Sequence, residues 1–231
     1  MRWRRLSHFS VSVALVLLAG CARELGSRFE TPVFAAVKVV FMGDSITYYW
    51  GPGQQGDSNA FTVNSTWVDA GIYGETSGQM LSRFQQDVIA LNPAIVHIMA
   101  GTNDVYPGWV LCGGTQDVDT CGNIEAMVAM AKAAGIQVIL GTIPPWGPGS
   151  ASSYFDPSPA RYDRINALNQ WITQFAVDNG LTLIDYHGLL VSSDGNTYVP
   201  DLTVDGIHPS ALAYTLMTPV AERAILDVRM K

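Results

Sequence analysis

Runs of apolar, largely β-branched residues recur along the chain and alternate with segments of helical periodicity. The first run, at residues 37–42, reads VKVVFM and is typical of a strand that is buried on both faces, as in a parallel sheet. Similar runs predict four more strands, at residues 67–72, 94–100, 137–143 and 181–186. Helical patterns separate or follow them, at residues 77–91, 124–134, 160–179 and 210–230.

This alternation predicts an α/β fold with a five-stranded parallel sheet. Short crossover connections must be right-handed, and each inner strand must hide both faces, so helices are expected on both sides of the sheet. In such folds ligands bind beyond the carboxyl ends of the strands. The residues that directly follow the predicted strands are therefore the first candidates for a functional site.

Chemically capable residues follow several of these strands. Ser45 comes after the first strand, Gly74 after the second and Asn103 after the third, while Asp205-Gly206-Ile207-His208 lies in the loop before the last helix. The carboxyl ends of parallel strands meet at one edge of a sheet, so these distant positions are expected to converge. Convergence of four such segments is stronger evidence than any one motif alone.

Ser45, His208 and Asp205 together provide the parts of an activated serine nucleophile. A serine hydroxyl attacks a carbonyl poorly unless a base takes its proton and a third group fixes the tautomer of that base. His208 would be the base and Asp205, three residues earlier, its partner. The alternative for Ser45 is a helix N-cap without a catalytic task, and the tripeptide Gly-Asp-Ser occurs a second time at residues 56–58.

Acyl transfer also requires hydrogen-bond donors directed at the developing oxyanion. The backbone N–H of Ser45, the backbone N–H of Gly74 and the side-chain amide of Asn103 are the candidate donors. Considered alone, Gly74 and Asn103 are more often turn residues. His97, inside the third predicted strand, is interpreted as a neutral core histidine, and His187 as part of loop packing.

These segments together resemble the conserved blocks of the SGNH (GDSL) hydrolase family, esterase/lipase type. The matching segments are residues 43–47 (GDSIT), Gly74, residues 101–104 (GTND) and residues 205–209 (DGIHP). The resemblance implies a flavodoxin-like three-layer α/β/α sandwich, the triad and oxyanion hole given above, and no metal or organic cofactor. Tyr73 and Glu75, on either side of Gly74, depart from the commonest family pattern.

The N-terminus is expected to be a bacterial lipoprotein signal. Arg2, Arg4 and Arg5 precede an apolar stretch that is too short to span a bilayer, and Leu18-Ala19-Gly20-Cys21 resembles a lipobox. We expect a signal at residues 1–21, lipidation of Cys21, a tether at residues 22–36 and a hydrolase domain at residues 37–231. An ordinary secretory signal and an uncleaved membrane anchor are the alternatives.

Composition narrows the class of partner. The 231 residues are 48% apolar, which suits one well-buried domain, and loss of three of the 13 basic residues with the signal leaves ten against 20 acidic ones. A net charge of −10 disfavours nucleic acid and anionic lipid as partners. With Cys21 lipidated in an exported protein, Cys112 and Cys121 are expected to form a disulfide, with free thiols as the alternative.

The expected function is hydrolysis of carboxylic esters, with short acyl or acetyl groups favoured and with small esters or acylated carbohydrates as substrates. Aromatic residues in loops are candidates for a substrate rim, although they could equally pack the loops onto the sheet: Trp50, Tyr106, Trp109 and Trp146. The alternatives are a lysophospholipase or thioesterase that acts on longer acyl chains, and a non-catalytic envelope lipoprotein. The lipid anchor would be the sole membrane contact. No feature of the sequence specifies an oligomeric state.

Overall fold

A five-stranded parallel sheet forms the centre of the structure, a computed structural model that describes residues 37–51, 60–105, 109–114, 119–147 and 159–230. The predicted signal and tether, Cys21, Tyr106 and the second Gly-Asp-Ser tripeptide lie outside these ranges. The strands run in the order β2-β1-β3-β4-β5. Their bounds are β1 Val39–Gly43, β2 Trp67–Gly71, β3 Ile95–Met99, β4 Gln137–Gly141 and β5 Thr182–Ile184.

Seven α-helices connect and cover the strands in the described part of the chain. The bounds are α1 Ser45–Trp50, α2 Ala60–Val63, α3 Ser77–Asp87, α4 Thr120–Ala133, α5 Pro159–Asp178, α6 Tyr186–Leu190 and α7 Ala211–Arg229. A single 3-10 turn, Ile89–Leu91, follows α3. Of the helices in these ranges, none combines the length and the apolarity that crossing a membrane requires.

The helices form one layer on each face of the sheet, which gives the expected three-layer α/β/α sandwich. Val40 and Met42 of β1 pack with α3, α4 and α5, whereas Val39 and Phe41 pack with α1, α2, α6 and α7. All five residues of β1 are buried. A slip of one residue would exchange these two sets of side chains between the faces, so the packing on both faces fixes the register of the strand.

The elements differ from the sequence prediction mainly at their ends. β5 is half as long as predicted because Asp185 accepts a hydrogen bond from the Gly188 backbone N–H and so begins α6. Asp119 accepts from the Gly122 N–H in the same way, and α4 begins at Thr120 rather than at residue 124. β2 is an edge strand and is only partly buried. Local capping therefore set the boundaries that periodicity missed.

The predicted disulfide is present. Cys112 and Cys121 are bonded, with 4.9 Å between their Cα atoms, and the bond joins the loop after β3 to the first turn of α4. Cys121 N also donates to Leu111 O at 2.9 Å, so covalent and hydrogen bonds hold the same point. A short closed loop of this kind typically stabilises a fold by roughly 2–4 kcal/mol.

Candidate active site

Ser45 is the first residue of α1 and lies directly beyond the carboxyl end of β1. Asp44 is the N-cap of this helix, and its Oδ1 accepts a hydrogen bond from Ile46 N at 2.9 Å. The turn is tight: a Cβ added to Gly43 would clash with the side chain of Thr47. Glycine at position 43 therefore allows the strand to turn at once into the helix that carries the serine.

His208 reaches Ser45 from the other end of the chain. The Oγ of Ser45 lies 2.9 Å from His208 Nε2, and His208 Nδ1 lies 2.6 Å from Asp205 Oδ2. Ser45 and His208 are both buried, whereas Asp205 is more exposed. The three side chains form a continuous line of hydrogen bonds, in the order that a serine nucleophile requires.

The loop that holds His208 is fixed by its own hydrogen bonds. Asp205 Oδ1 accepts from the backbone N–H groups of Ile207 and His208, at 2.9 and 2.8 Å. Gly206 has a φ of +91°, which favours glycine, and its N–H donates to Thr203 Oγ1. The Thr203 hydroxyl in turn donates to His208 O at 2.9 Å. The short Asp205-to-His208 spacing is thus folded into a closed turn.

Asp205 is ionised in this setting. Its burial acts to raise the pKa, but hydrogen bonds from the His208 ring and from the backbone N–H groups of His208 and Ile207 outweigh it and lower the pKa to about 2. A carboxylate at this position fixes the imidazole tautomer, with the proton on Nδ1 and the lone pair of Nε2 directed at Ser45.

Gly74 and Asn103 lie at the same edge of the sheet as Ser45. Gly43 is in register with Gly71 on one side and with Met99 on the other, so the residues after β1, β2 and β3 leave the sheet side by side. Gly74 has a φ of +75°, a conformation that favours glycine. Asn103 Nδ2 donates to Glu75 O at 2.9 Å, which uses one of the two N–H bonds of the amide.

Asp104 fastens the loop after β3 to the start of α3. Its buried carboxylate accepts from the backbone N–H and the hydroxyl of Ser77 and from Thr120 Oγ1. Asn123 Nδ2 donates to Ser77 Oγ at 2.9 Å and extends the network into α4. Burial raises the pKa of Asp104, while these donors act to lower it. The network holds the backbone on both sides of the Asn103 amide.

Arg83 on α3 performs a similar task for the loop after β2. Its guanidinium forms an ion pair with Glu75 at 2.7 Å and donates to Gly43 O and Ala70 O, at 3.2 and 2.8 Å. The side chain is 15% exposed. Glu75, whose presence beside Gly74 was a departure from the family pattern, is therefore held through both its carboxylate and its carbonyl. One cation joins the ends of β1 and β2 to the Gly74 loop.

Two tyrosines that the sequence analysis did not assign to the site flank His208. The ring of Tyr49 packs edge-on against the imidazole with 5.0 Å between centroids, and the ring of Tyr73 lies nearly parallel to it at 6.3 Å. Tyr49 is four residues after Ser45, so it shares a helix face with the nucleophile. That spacing is the sequence signal that could have identified it.

The expected rim tryptophans behave differently, and the prediction for Trp50 is wrong. Trp50 ends α1 rather than lying in a loop, and it is fully buried among Phe41, Tyr186 and Tyr214. Five residues of helix after Ser45 turn its side chain toward the core instead of the sheet edge.

Trp146 is also buried, 5% exposed, with the Arg161 guanidinium 4.3 Å from its ring centroid. Because of this stacking, Trp146 packs its loop against the domain and does not lie at an open rim of the site. Trp109 is partly exposed, and its carbonyl accepts from Arg164 Nη2. Tyr106 lies outside the described residues.

The other histidines do not join the triad. His97 is buried in β3 beside Tyr186, with 3.1 Å between His97 Nε2 and the tyrosine hydroxyl, and burial lowers its pKa to about 3. It is the neutral core histidine that was expected. Burial also lowers the pKa of His187, which lies in α6. Within the described ranges, no group of three or more His, Cys, Asp or Glu side chains is placed to hold a metal ion.

The chain matches the model of the GDSL-like lipase/acylhydrolase family over residues 41–216. No curated protein matches it. The crystal structure of a GDSL-like lipase from Bacteroides thetaiotaomicron VPI-5482 is similar, with 34% identity, a TM-score of 0.71, and coverage of 83% of this chain and 89% of that one.

Two further solved structures share the architecture. One, from Bacteroides fragilis NCTC 9343, is 36% identical, with a TM-score of 0.71 and coverage of 83% of this chain and 87% of that one. The other is an acetylxylan esterase from Geobacillus stearothermophilus, 23% identical, with a TM-score of 0.63 and coverage of 84% of this chain and 95% of that one. At that identity the likeness concerns the fold alone.

Asp44, next to Ser45, is a buried carboxyl group whose ionisation destabilises the folded protein. Burial raises its pKa to about 6, against the hydrogen bond from Ile46 and the nearby His208, both of which act to lower it. In the unfolded chain the pKa is close to 3.8. Between these two values the folded protein binds more protons than the unfolded one, so stability falls as the pH rises from about 4 to 6.

Substitution Asp44→Asn should remove this loss of stability, because the amide keeps an oxygen for Ile46 N–H but cannot ionise. At 1.36 kcal/mol per pKa unit, we expect the variant to gain about 2 kcal/mol relative to the parent between pH 4.5 and pH 7.5. Urea unfolding at both pH values measures the difference. Asp178→Asn, at the exposed end of α5, is the control. A constant offset between Asp44→Asn and the parent at both pH values would contradict the assignment.

Proposed function

Since this ester hydrolase belongs to the GDSL-like lipase/acylhydrolase family, we propose that it is a serine esterase whose catalytic triad is Ser45, His208 and Asp205. One observation carries the proposal: the unbroken line of hydrogen bonds from Ser45 Oγ to His208 and on to Asp205. Nucleophile, base and orienting carboxylate meet although 163 residues separate the first two. The alternative interpretation of Ser45 as a helix N-cap is wrong, because Asp44 is the N-cap of α1.

Acylation follows from the positions of these three groups. His208 Nε2 takes the proton from Ser45 Oγ as the oxygen attacks the ester carbonyl, and Asp205 stabilises the imidazolium that forms. The tetrahedral intermediate then collapses. His208 returns the proton to the departing alcohol oxygen, and the acyl group remains on Ser45 as an ester.

Deacylation repeats the same steps with water. His208 takes a proton from a water molecule that attacks the acyl-enzyme carbonyl, and then gives the proton back to Ser45 Oγ as the acid leaves. In both halves of the cycle the oxyanion receives hydrogen bonds from the N–H groups of Ser45 and Gly74 and from the second N–H of the Asn103 amide. Ser45 begins a helix, and the positive end of the helix dipole adds to this stabilisation.

We favour short acyl groups, such as acetyl, as the acyl part of the substrate. Gly74, a proposed oxyanion donor, is exposed, so the site opens at the edge of the sheet. A long acyl chain gains affinity chiefly from an enclosed apolar channel. An open edge supports acetylated carbohydrates or simple aryl esters rather than lysophospholipids or thioesters of long chains.

Export and lipid anchoring are part of the same proposal and rest on sequence alone. The segment Leu18-Ala19-Gly20-Cys21 follows a basic and apolar leader, so we place the protein in the bacterial cell envelope, anchored through acylated Cys21. The predicted domain boundaries, with a signal at residues 1–21 and a tether at 22–36, belong to this proposal. The disulfide between Cys112 and Cys121 is in keeping with an oxidising compartment.

Substitution Ser45→Ala tests the triad directly. The variant should lose hydrolysis of p-nitrophenyl acetate by at least ~10⁴-fold, because the covalent route is closed, while its circular dichroism spectrum stays that of the parent. Ser58→Ala, in the other Gly-Asp-Ser tripeptide, is the matched control and should keep its activity. Retained activity in the Ser45 variant would refute the proposal. Separately, the rates at which the parent hydrolyses p-nitrophenyl esters of increasing chain length rank the acyl groups that it accepts.

Substitution Asn103→Ala tests the oxyanion donor. We expect kcat to fall by ~10²-fold with little change in KM, since the amide contributes more in the transition state than in the ground state. Asn103→Asp, which keeps the shape but replaces the N–H donor by a negative charge, should lower kcat at least as much, because the charge repels the oxyanion. Steady-state kinetics with p-nitrophenyl acetate gives both constants, and a kcat within twofold of the parent would exclude the role.

Substitution Cys21→Ser tests the anchor. In a bacterial host the parent chain should incorporate radiolabelled palmitate and sediment with membranes, because the thiol of Cys21 accepts the lipid, and the variant should do neither. A Cys112→Ser and Cys121→Ser double variant controls for thiol-specific labelling elsewhere and should remain acylated. An unlabelled parent chain would exclude the lipoprotein interpretation and leave an ordinary signal.

A further inference from the structure

The two tyrosines beside His208 have no part in the triad, yet they surround its imidazole. Tyr49 contacts the imidazole edge-on at 5.0 Å, and Tyr73 lies within 23° of parallel to it at 6.3 Å. The two tyrosine rings also meet each other edge-on, with 6.0 Å between centroids. Together they form an aromatic wall, Tyr49 and Tyr73, on the side of the site that His208 occupies.

The position of the aromatic wall beside His208 determines which part of an ester contacts it. In a serine esterase the oxyanion lies toward the N–H donors, and the departing alcohol lies beside the histidine that protonates it. Groups that flank the His208 ring therefore contact the alcohol rather than the acyl group. The wall is positioned for the leaving-group half of the substrate.

Exposure separates the roles of the two rings. Tyr73 leaves 59% of its surface accessible although it contacts two other rings, whereas Tyr49 is partly buried. Tyr49 also packs edge-on against Tyr48 at 5.3 Å, so it is held from several sides. Tyr49 can fix the orientation of Tyr73, while the open face of Tyr73 remains available to a ligand.

We propose that Tyr73, held by Tyr49, binds the alcohol part of the ester and selects alcohols that present a ring face, namely sugars or aryl groups. The inference rests on the proposed esterase function and names the substrate class of that site. An aromatic face stacks on another ring or on the C–H face of a sugar, and an open-chain alcohol offers no such surface. Tyr73, which departs from the commonest family pattern beside Gly74, thereby gains a function.

The experiment compares Tyr73→Ala with the parent on three acetate esters: phenyl acetate, an acetylated methyl xyloside and ethyl acetate. The acyl group is constant, so kcat/KM reports how the alcohol is recognised up to acylation. We expect Tyr73→Ala to lower kcat/KM about fivefold on the ring alcohols, from the usual strength of ring stacking, and less than twofold on ethyl acetate. Tyr73→Phe should restore the selectivity, and Ile72→Ala, an exposed neighbour, is the matched control.

The rate of deacylation distinguishes binding from a purely structural role. The alcohol has left by that step, but His208 still acts as the base, so a ring that merely supports His208 would slow deacylation too. Rapid-mixing burst kinetics should give the same deacylation rate for Tyr73→Ala and the parent. Slower deacylation, or an equal loss on all three esters, would overturn the proposal.

The two esters of ring alcohols distinguish which class of alcohol Tyr73 recognises. A loss confined to the xyloside supports a carbohydrate alcohol, and a loss confined to phenyl acetate supports an aryl one. Failure of the proposed function would be seen separately, as hydrolysis that survives Ser45→Ala on every ester. A parent that shows no preference for ring alcohols over ethyl acetate would also overturn the selectivity, while leaving the triad intact.

Discussion

The contact between Ser45 and His208 joins the first and last parts of the domain, and the packing of two helices keeps it short. Ser45 begins α1 and His208 lies just before α7. Two side-chain hydrogen bonds connect these helices: Tyr214 donates to Ile46 O at 2.7 Å, and Trp50 Nε1 to Thr218 Oγ1 at 3.0 Å. Since the proposed proton transfer requires hydrogen-bond distance, the apolar layer shared by α1 and α7 holds the proposed nucleophile and base in position.

The oxyanion side of the site is held by charge rather than by apolar packing. The Asp104 carboxylate binds the starts of α3 and α4, and the Arg83 guanidinium binds backbone carbonyls at the ends of β1 and β2. If these loops supply the proposed oxyanion donors, their free N–H groups cannot also stabilise the loops, and the neighbouring ions provide that stabilisation instead. The two halves of the site thus rest on different interactions and can fail independently.

The sequence was informative wherever a pattern has one physical solution. Alternating strands and helices predicted the sheet. A serine nucleophile requires a base and an orienting carboxylate, and this requirement predicted that Ser45, His208 and Asp205 lie together. Side-chain direction was not predicted: Trp50 was expected in a loop, but it lies in α1 one residue after Tyr49, and that rotation about the helix axis directs it into the core. Tyr49 could have been identified by its spacing from Ser45, but the contact between the rings of Tyr73 and His208 depends on how two loops pack, which no local pattern encodes.

The buried carboxylate of Asp44 shows how stability and chemistry are balanced at the nucleophile. Burial raises its pKa to about 6, so at neutral pH the fold carries an ionised group in a place that disfavours charge. The same negative charge acts on His208. In the proposed mechanism the imidazole becomes a cation when it accepts the Ser45 proton, and a fixed anion nearby would stabilise that cation without reorganisation. The ionised Asp44 carboxylate destabilises the resting protein at neutral pH, and in the proposed mechanism this cost is offset when the positive charge develops on His208.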